Sequence, residues 1–263
     1  MATWNLDWLT TRAAGDPALP SDVHPRSAAD FDRLRRYADA LDADVVAFEE
    51  VDGAGAASRV FSPDRYAIVI TGDTVVQRVG FAIRRGLAFT RNPDVTAIDV
   101  QPEAHFPLRS GADVTLDLPH GQRLRLLAVH LKSGCWSGPM RRSRHACRAL
   151  HEQIAPLADW ISRIAAAGTP FIVLGDFNRR MGGHDRLFAA LDRAAPLLRT
   201  TAGQASPCWG GDDFIDHILA GGQARNWVEP DSLRVLVYRE TDPAWKDRLS
   251  DHCPVSVRLD VPG

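Results

Sequence analysis

No apolar stretch in these 263 residues approaches the roughly 18 to 20 consecutive residues that cross a bilayer, so neither a transmembrane anchor nor stable membrane association is expected. An excess of one charge is missing too: Lys plus Arg (31) nearly cancels Asp plus Glu (33), leaving a formal net charge of -2. That excludes a polycation holding nucleic acid by bulk charge, and any grip on phosphate has to be local. There are no internal repeats, no low-complexity tracts and no Pro/Gly/Ser-rich linker, which leaves one domain over residues 1–263. Cysteine is sparse. Cys135, Cys147, Cys208 and Cys253 form an even set at low density, which does not by itself declare a disulfide framework. A Cys135–Cys147 bridge closes a short loop easily, and reduced thiols remain equally open. Neither the glycine loop of phosphate-binding NTPases nor a Gly-x-Ser-x-Gly elbow is present, although Ser133 and Ser250 sit near histidines. A zinc site from Cys135, His145 and Cys147 does not match the paired spacing of such ligands.

What is present is an ordinary globular balance, 45% hydrophobic and 24% charged. Phe31, Leu34, Ala38 and Leu41 recur at helical spacing behind a Ser27/Asp30 capping box, which predicts a helix over Ser27–Leu41. A longer amphipathic pattern over Arg141–Ala167 stops at Gly168, Thr169 and Pro170, with a kink expected at Pro156. Short apolar runs bounded by turn residues read as strands: Val45–Phe48, Tyr66–Ile70, Val79–Ile83, Leu124–Leu131, Phe171–Leu174, Phe214–Leu219, Leu233–Val237 and Pro254–Leu259. Strands outnumber helices too strongly for a simple alternating sheet. Two mixed sheets packed face to face, with helices outside, are expected. The sequence opens directly on a strand-like segment, Ala2–Leu9. With the even cysteines, this gives the expectation of a secreted or periplasmic protein whose leader has been removed, a cytoplasmic one being the alternative. A monomer is expected.

Polar groups stand at the ends of these runs. Val45–Phe48 leads into Glu49-Glu50, Leu126–Val129 into His130, and Ile172–Gly175 into Asp176-Phe177-Asn178. Phe214-Ile215 precedes Asp216, Ser250-Asp251-His252 opens the last strand, and Asn5 lies inside the first. Buried without partners, such groups are costly, so they should converge on one another, on water or on a metal. Singly, each has a plainer reading: an acidic residue at a strand end is a common turn or cap residue, and His24, His105, His120 and His184 receive no role. Together, oxygen donors with two histidines and no thiolate cluster favour Mg²⁺ or Mn²⁺ over zinc. A hard cation beside His and Asp suits phosphoryl chemistry, in which a carboxylate positions the attacking water.

Read in order, Thr3-Trp4-Asn5, Phe48-Glu49-Glu50-Val51, Val129-His130-Leu131-Lys132-Ser133, Gly175-Asp176-Phe177-Asn178, Ile215-Asp216-His217-Ile218 and Ser250-Asp251-His252-Cys253-Pro254 resemble the motif series of the endonuclease/exonuclease/phosphatase superfamily. The resemblance implies the deoxyribonuclease I-like fold, a four-layered α/β sandwich, and divalent-metal hydrolysis of phosphoesters. It implies Glu50 as a metal ligand, with Asn5 and Asp251 completing or supporting the site. Asp176 would orient or deprotonate water, and Asn178 would hold a phosphate oxygen. His252, paired with Asp216, would face the phosphoryl group, and His130 would donate to its developing charge. Members resembling pancreatic deoxyribonuclease back this histidine with a glutamate; the matching position here is Gln77, and an amide cannot stabilise an imidazolium as a carboxylate does.

Family membership leaves the substrate open. A nuclease, with DNA favoured over RNA, is the expectation, because basic residues stand beside the motifs: Lys132, Arg179-Arg180, and Arg141-Arg142 with Arg144. Trp136, Trp209 and Trp245 lie in loop-like stretches and are candidates for base stacking, with loop packing as the plainer alternative. The expected substrate contacts are therefore Lys132, Arg179, Trp136, Trp209 and Trp245. The alternative is a phosphodiesterase or phosphatase acting on a lipid headgroup or small phosphate ester. A binding module that lost catalysis is the rival of another class, and the presence of every polar motif residue speaks against it.

Overall fold

A computed structural model describes residues 1–140 and 143–262. Arg141 and Arg142, part of the basic cluster read from the sequence, lie outside the described residues. The first part of the chain runs β1 (Ala2–Leu9), α1 (Ala28–Leu41), β2 (Val45–Val51), α2 (Gly53–Val60), β3 (Tyr66–Ile70) and β4 (Arg78–Arg84). Next come β5 (Ala88–Arg91), β6 (Ala112–Asp117), β7 (Arg123–His130), α3 (His145–Ala166), β8 (Phe171–Asp176) and α4 (Arg186–Ala194). The last part holds β9 (Leu197–Arg199), a short ribbon of β10 (Ala205–Ser206) and β11 (Asp212–Asp213), then β12 (Asp216–Gly221), β13 (Arg234–Val235) and β14 (Val255–Ser256). Among the described residues no helix is long and apolar enough to cross a membrane.

Two six-stranded mixed sheets result, ordered β13-β14-β1-β2-β4-β3 and β5-β6-β7-β8-β12-β9. Each contains one parallel pair, β1 with β2 and β7 with β8, because the connecting segment is a helix long enough to cross back. Strand alternation sorts the side chains into layers. Val46 and Phe48 of β2 face outward onto Phe31 and Leu34 of α1. Val173 of β8 and Val129 of β7 face outward onto Leu150, Leu157 and Ile161 of α3. Val45, Ala47, Leu126, Ala128, Ile172, Leu174, Ile218 and Ala220 fill the layer between the sheets. This is the four-layered arrangement with helices outside.

The cap of α1 forms as expected: Ser27 Oγ accepts the Asp30 N–H at 3.3 Å, and Asp30 Oδ2 accepts the Ser27 N–H at 3.0 Å. The longer helix begins at His145 rather than Arg141, and it runs unbroken through Pro156. The carbonyl that Pro156 frees belongs to Glu152, on the exposed face where water can take it. Within the runs Leu233–Val237 and Pro254–Leu259 regular strand is confined to β13 and β14, with an isolated bridge from Leu259 to Val228 beyond them. Both cysteine pairs are bridged, Cys135–Cys147 and Cys208–Cys253.

Candidate active site

Strand parity decides which polar residues reach the seam between the sheets. Asp176 continues the inward face of Ile172 and Leu174, Asp216 that of Ile218 and Ala220, and His130 that of Leu126 and Ala128. Register then makes them neighbours, since His130 and Asp216 each stand opposite Asp176 on adjoining strands. From the facing sheet Asn5 reaches across: its Nδ2 donates to Glu50 Oε1 at 3.1 Å and to Asp176 Oδ2 at 3.1 Å. Asn178 closes this side, its backbone N–H donating to Asp176 Oδ1 at 2.7 Å and its Nδ2 to Asp176 Oδ2 at 3.0 Å.

Glu50 arrives through an irregularity. The β1–β2 pairing slips between Asn5 and Leu9, and the β2–β4 pairing slips between Phe48 and Val51. Backbone φ is +60° at Glu50, +43° at Asp7 and +54° at Trp8. Left-handed backbone at such residues costs about 1–3 kcal/mol each and concentrates at functional sites; here it re-aims two carboxylates toward one corner, as bulges do. Glu50 Oε2 accepts from the Trp8 N–H at 3.3 Å and from Gln77 Nε2. Glu49 keeps the inward parity instead. Thr3 Oγ1 donates to its Oε1 at 3.0 Å, Oε2 has no partner, and burial together with Asp216 and Asp176 pushes its carboxyl well above the usual range. Glu49 is thus a buried carboxyl held by Thr3 in the core rather than a group turned to solvent.

Asp7 carries no motif signature in the sequence beyond standing two residues after Asn5. Burial, then the nearby Asp251 and Glu50, push its carboxyl up to about 7, with Arg26 the opposing charge at 3.5 Å. Asp7, Glu50 and Asp251 thus bring negative charge to one corner, although among the described residues only Asp176, Asp216 and His252 gather their ligand atoms within 4.8 Å of one another. Asn5, expected to complete or support a metal site, has its Oδ1 taken by the Asp7 N–H at 2.9 Å and its Nδ2 by Glu50 and Asp176, so its amide ties these carboxylates together. A second set, Asp176, Asp216 and His252, brings its ligand atoms within 4.8 Å of one another. Burial opposes charge on His252, yet Asp216, 2.8 Å from Nδ1, and Asp176 outweigh it and hold the imidazole well above its ordinary value. Asp216 occupies Nδ1, which leaves Nε2, 3.8 Å from Asp176 Oδ2, as the ring nitrogen turned toward the rest of this set.

The partner of His130 corrects the sequence expectation. Gln77 turns to Glu50, and the group against the imidazole is Arg109, whose Nη2 lies 2.8 Å from Nδ1 and 2.7 Å from Nε2. Burial, then the Arg109 charge, push His130 well below its ordinary value. His130 is therefore a neutral imidazole, its Nε2 3.4 Å from Glu50 Oε1 and 3.7 Å from Asp176 Oδ2. Arg109 lies between runs that the sequence marks as strands, with no neighbouring motif to announce it.

The expected substrate contacts divide. Lys132 stands at the rim, its Nζ 3.3 Å from Ser133 O, and burial and Arg109 lower its pKa. Arg179 is no surface cation: it is 3% exposed and donates to Asp185 Oδ2 at 2.7 Å, Cys135 O at 2.8 Å and Gly138 O at 2.5 Å. Trp245 offers no free face, with Arg33 at 4.4 Å and Arg248 at 4.0 Å from its ring centroid. Trp209 is half-buried in the wall of the cleft that also holds His252; it packs on Tyr238, donates to Ser250 O at 3.0 Å and has Lys246 over its ring at 5.7 Å. Trp136 is 48% exposed beside Asn178. An open cleft of about 430 Å³ runs from Trp136 to His252, passing Arg180, Asp216 and Lys246. A larger groove of about 810 Å³ lies at the other end of the sheets, around Leu87, Leu116 and Leu124, and none of the site residues lines it.

The fold has solved counterparts. Truncated TDP2 from Caenorhabditis elegans superposes with a TM-score of 0.65 at 14% identity, covering 99% of this chain and 96% of that one. The 3′ phosphatase NExo from Neisseria, bound to a product DNA hairpin, gives 0.62 at 14% identity, covering 99% and 98%. The human Nocturnin catalytic domain with a bound sulfate anion gives 0.59 at 15% identity, covering 96% and 93%. No curated protein sequence matches the chain. The model of the Endonuclease/Exonuclease/phosphatase family matches residues 2–252, nearly the whole chain, and the chain belongs to that family.

Proposed function

We propose that this protein is a divalent-metal-dependent phosphodiester hydrolase that cleaves nucleic acid, DNA foremost, by in-line attack of an activated water. The observation that carries the reading is the convergence of acids and imidazole at one seam: Asn5 ties Glu50 to Asp176, and Asp176, Asp216 and His252 bring their ligand atoms within 4.8 Å of one another. Similarity in fold to a phosphatase bound to a DNA hairpin supports the substrate class. Glu50, tied through Asn5 to Asp176, would help hold Mg²⁺ or Mn²⁺, which offsets charge on phosphate oxygens, with Asp7 and Asp251 adding negative charge nearby.

The remaining steps belong to the chain's own groups. Burial pushes Asp176 up to about 7, which suits a base that takes a proton from water near neutral pH. Asn178 orients Asp176, its backbone N–H and its Nδ2 both donating to that carboxylate. His252, kept charged by Asp216, stabilises the negative charge that develops on the phosphoryl group. His130 donates a neutral N–H, and Arg109 supplies beside it the positive charge that this imidazole does not carry.

The test is nicking of supercoiled plasmid by the purified protein with Mg²⁺ or Mn²⁺. EDTA should abolish nicking, and Asp176→Asn and His252→Ala should each lower the rate about a thousandfold or more with an unchanged circular dichroism spectrum. Full activity in either variant would sink the assigned roles. A folded wild-type protein that binds metal but leaves plasmid intact would transfer the reading to a small or lipid phosphoester.

A further inference from the structure

Trp136 is mounted as few exposed side chains are. Cys135 before it is bridged to Cys147 on α3, and Cys135 O accepts from buried Arg179 at 2.8 Å. The carbonyl of Trp136 itself accepts the Arg180 N–H at 2.7 Å, and its Nε1 donates to Asn178 Oδ1 at 3.2 Å. The segment is thus tied down before, at and through the indole, while the ring stays 48% exposed at the mouth of the cleft. Rigid mounting of an apolar face in water stabilises nothing in the free protein. It does remove the ordering entropy from whatever later covers that face.

We infer that Trp136 is the specificity platform of the site, stacking the planar base attached to the phosphate that Asp176 and His252 face. This rests on the phosphodiester reading above and narrows it to base-bearing substrates over inositol or lipid headgroups, which have no planar group to stack. The indole has two separable parts. Its face binds the base. Its N–H fixes the Asn178 amide, whose Nδ2 is already committed to Leu131 O at 3.0 Å and Asp176 Oδ2 at 3.0 Å, so loss of the indole N–H frees the Asn178 oxygen and loosens its hold on Asp176. The face is therefore a binding element and the N–H a positioning one.

Two substrates and two variants separate these parts. The substrates are a single-stranded thymidine oligonucleotide and an oligonucleotide of the same backbone made of abasic tetrahydrofuran residues; the variants are Trp136→Phe and Trp136→Leu. Trp136→Leu should raise KM about tenfold on the thymidine substrate, the stacking of one base, with no such rise on the abasic one. Trp136→Phe keeps a stacking face and should hold KM while lowering kcat on both substrates. Equal effects of Trp136→Leu on the two substrates would overturn the platform. Quenching of tryptophan fluorescence by thymidine monophosphate in EDTA provides a readout without turnover. Quenching lost in Trp136→Leu, from a wild type that cleaves neither substrate, would fell the hydrolase reading and leave the platform standing; quenching retained in that variant would fell the platform.

Discussion

At the scale of single residues, the buried polar groups sort into those that hold the frame and those that face the seam. Arg179 holds the frame. Its carboxylate partner Asp185 also caps α4, accepting the Leu187 and Phe188 N–H groups at 3.0 and 3.1 Å. Arg179→Met should therefore lower unfolding free energy by about 3–5 kcal/mol, the usual effect of leaving one member of a buried pair behind, as read by urea denaturation. His217 is another frame residue. Thr201 Oγ1 lies 2.6 Å from its Nδ1 and Arg179 O lies 2.9 Å from its Nε2, the pattern of a neutral ring with both nitrogens satisfied. Burial depresses its pKa from 6.5 to about 4. Between these values the unfolded chain binds the proton that the folded one refuses, so this part of the stability is complete above pH 6.5 and is lost as the pH falls toward 4. The loss should reach about 3 kcal/mol. Denaturation curves at several pH values should show that slope, and His217→Gln should flatten it.

At the scale of elements, the site depends on how closely β7 and β8 approach. Gly175 has φ +142°, and a Cβ there would stand 2.0 Å from Val129 O. Gly175→Ala should push the strands apart just where His130 pairs with Asp176, lowering stability by about 1–3 kcal/mol and turnover by more than that loss alone accounts for; wild-type turnover in this variant would show the register to be unimportant. The same elements explain what a reader of the sequence could find. β7, β8 and β12 were legible because apolar runs end in His130, Asp176 and Asp216 with unbroken alternation. β6 was hidden because its outward face carries Asp113 and Thr115, and the partners that make Asp113 tolerable, Arg125 at 2.8 Å and Trp160 at 2.8 Å, are distant in sequence. Helix α2 opens on Gly53 and Gly55, poor helix formers held by packing. Asp7 and Arg109 were hidden for a related reason, since one owes its place to a bulge and the other to a connection without regular structure.

At the scale of the whole molecule, charge balance links metal to stability. The repulsion among Asp7, Glu50 and Asp251 opposes folding, so a cation that binds the folded form should raise the melting temperature progressively with concentration. At a hundredfold excess over Kd the gain is about 2.7 kcal/mol, several degrees for a chain of this size. Glu50→Gln should lose most of the rise, and an unchanged shift in that variant would move the cation elsewhere. Scanning calorimetry with Mg²⁺ and Mn²⁺ reads this without any substrate.

The two sheets contribute to the site from opposite sides: Asn5, Glu50 and His252 stand with the first, His130, Asp176 and Asp216 with the second. Neither half owns a complete set of reacting groups. A chain still being synthesised, or one whose halves have come undocked, therefore holds only half of the seam, and whatever turnover the site supports begins with the last act of assembly.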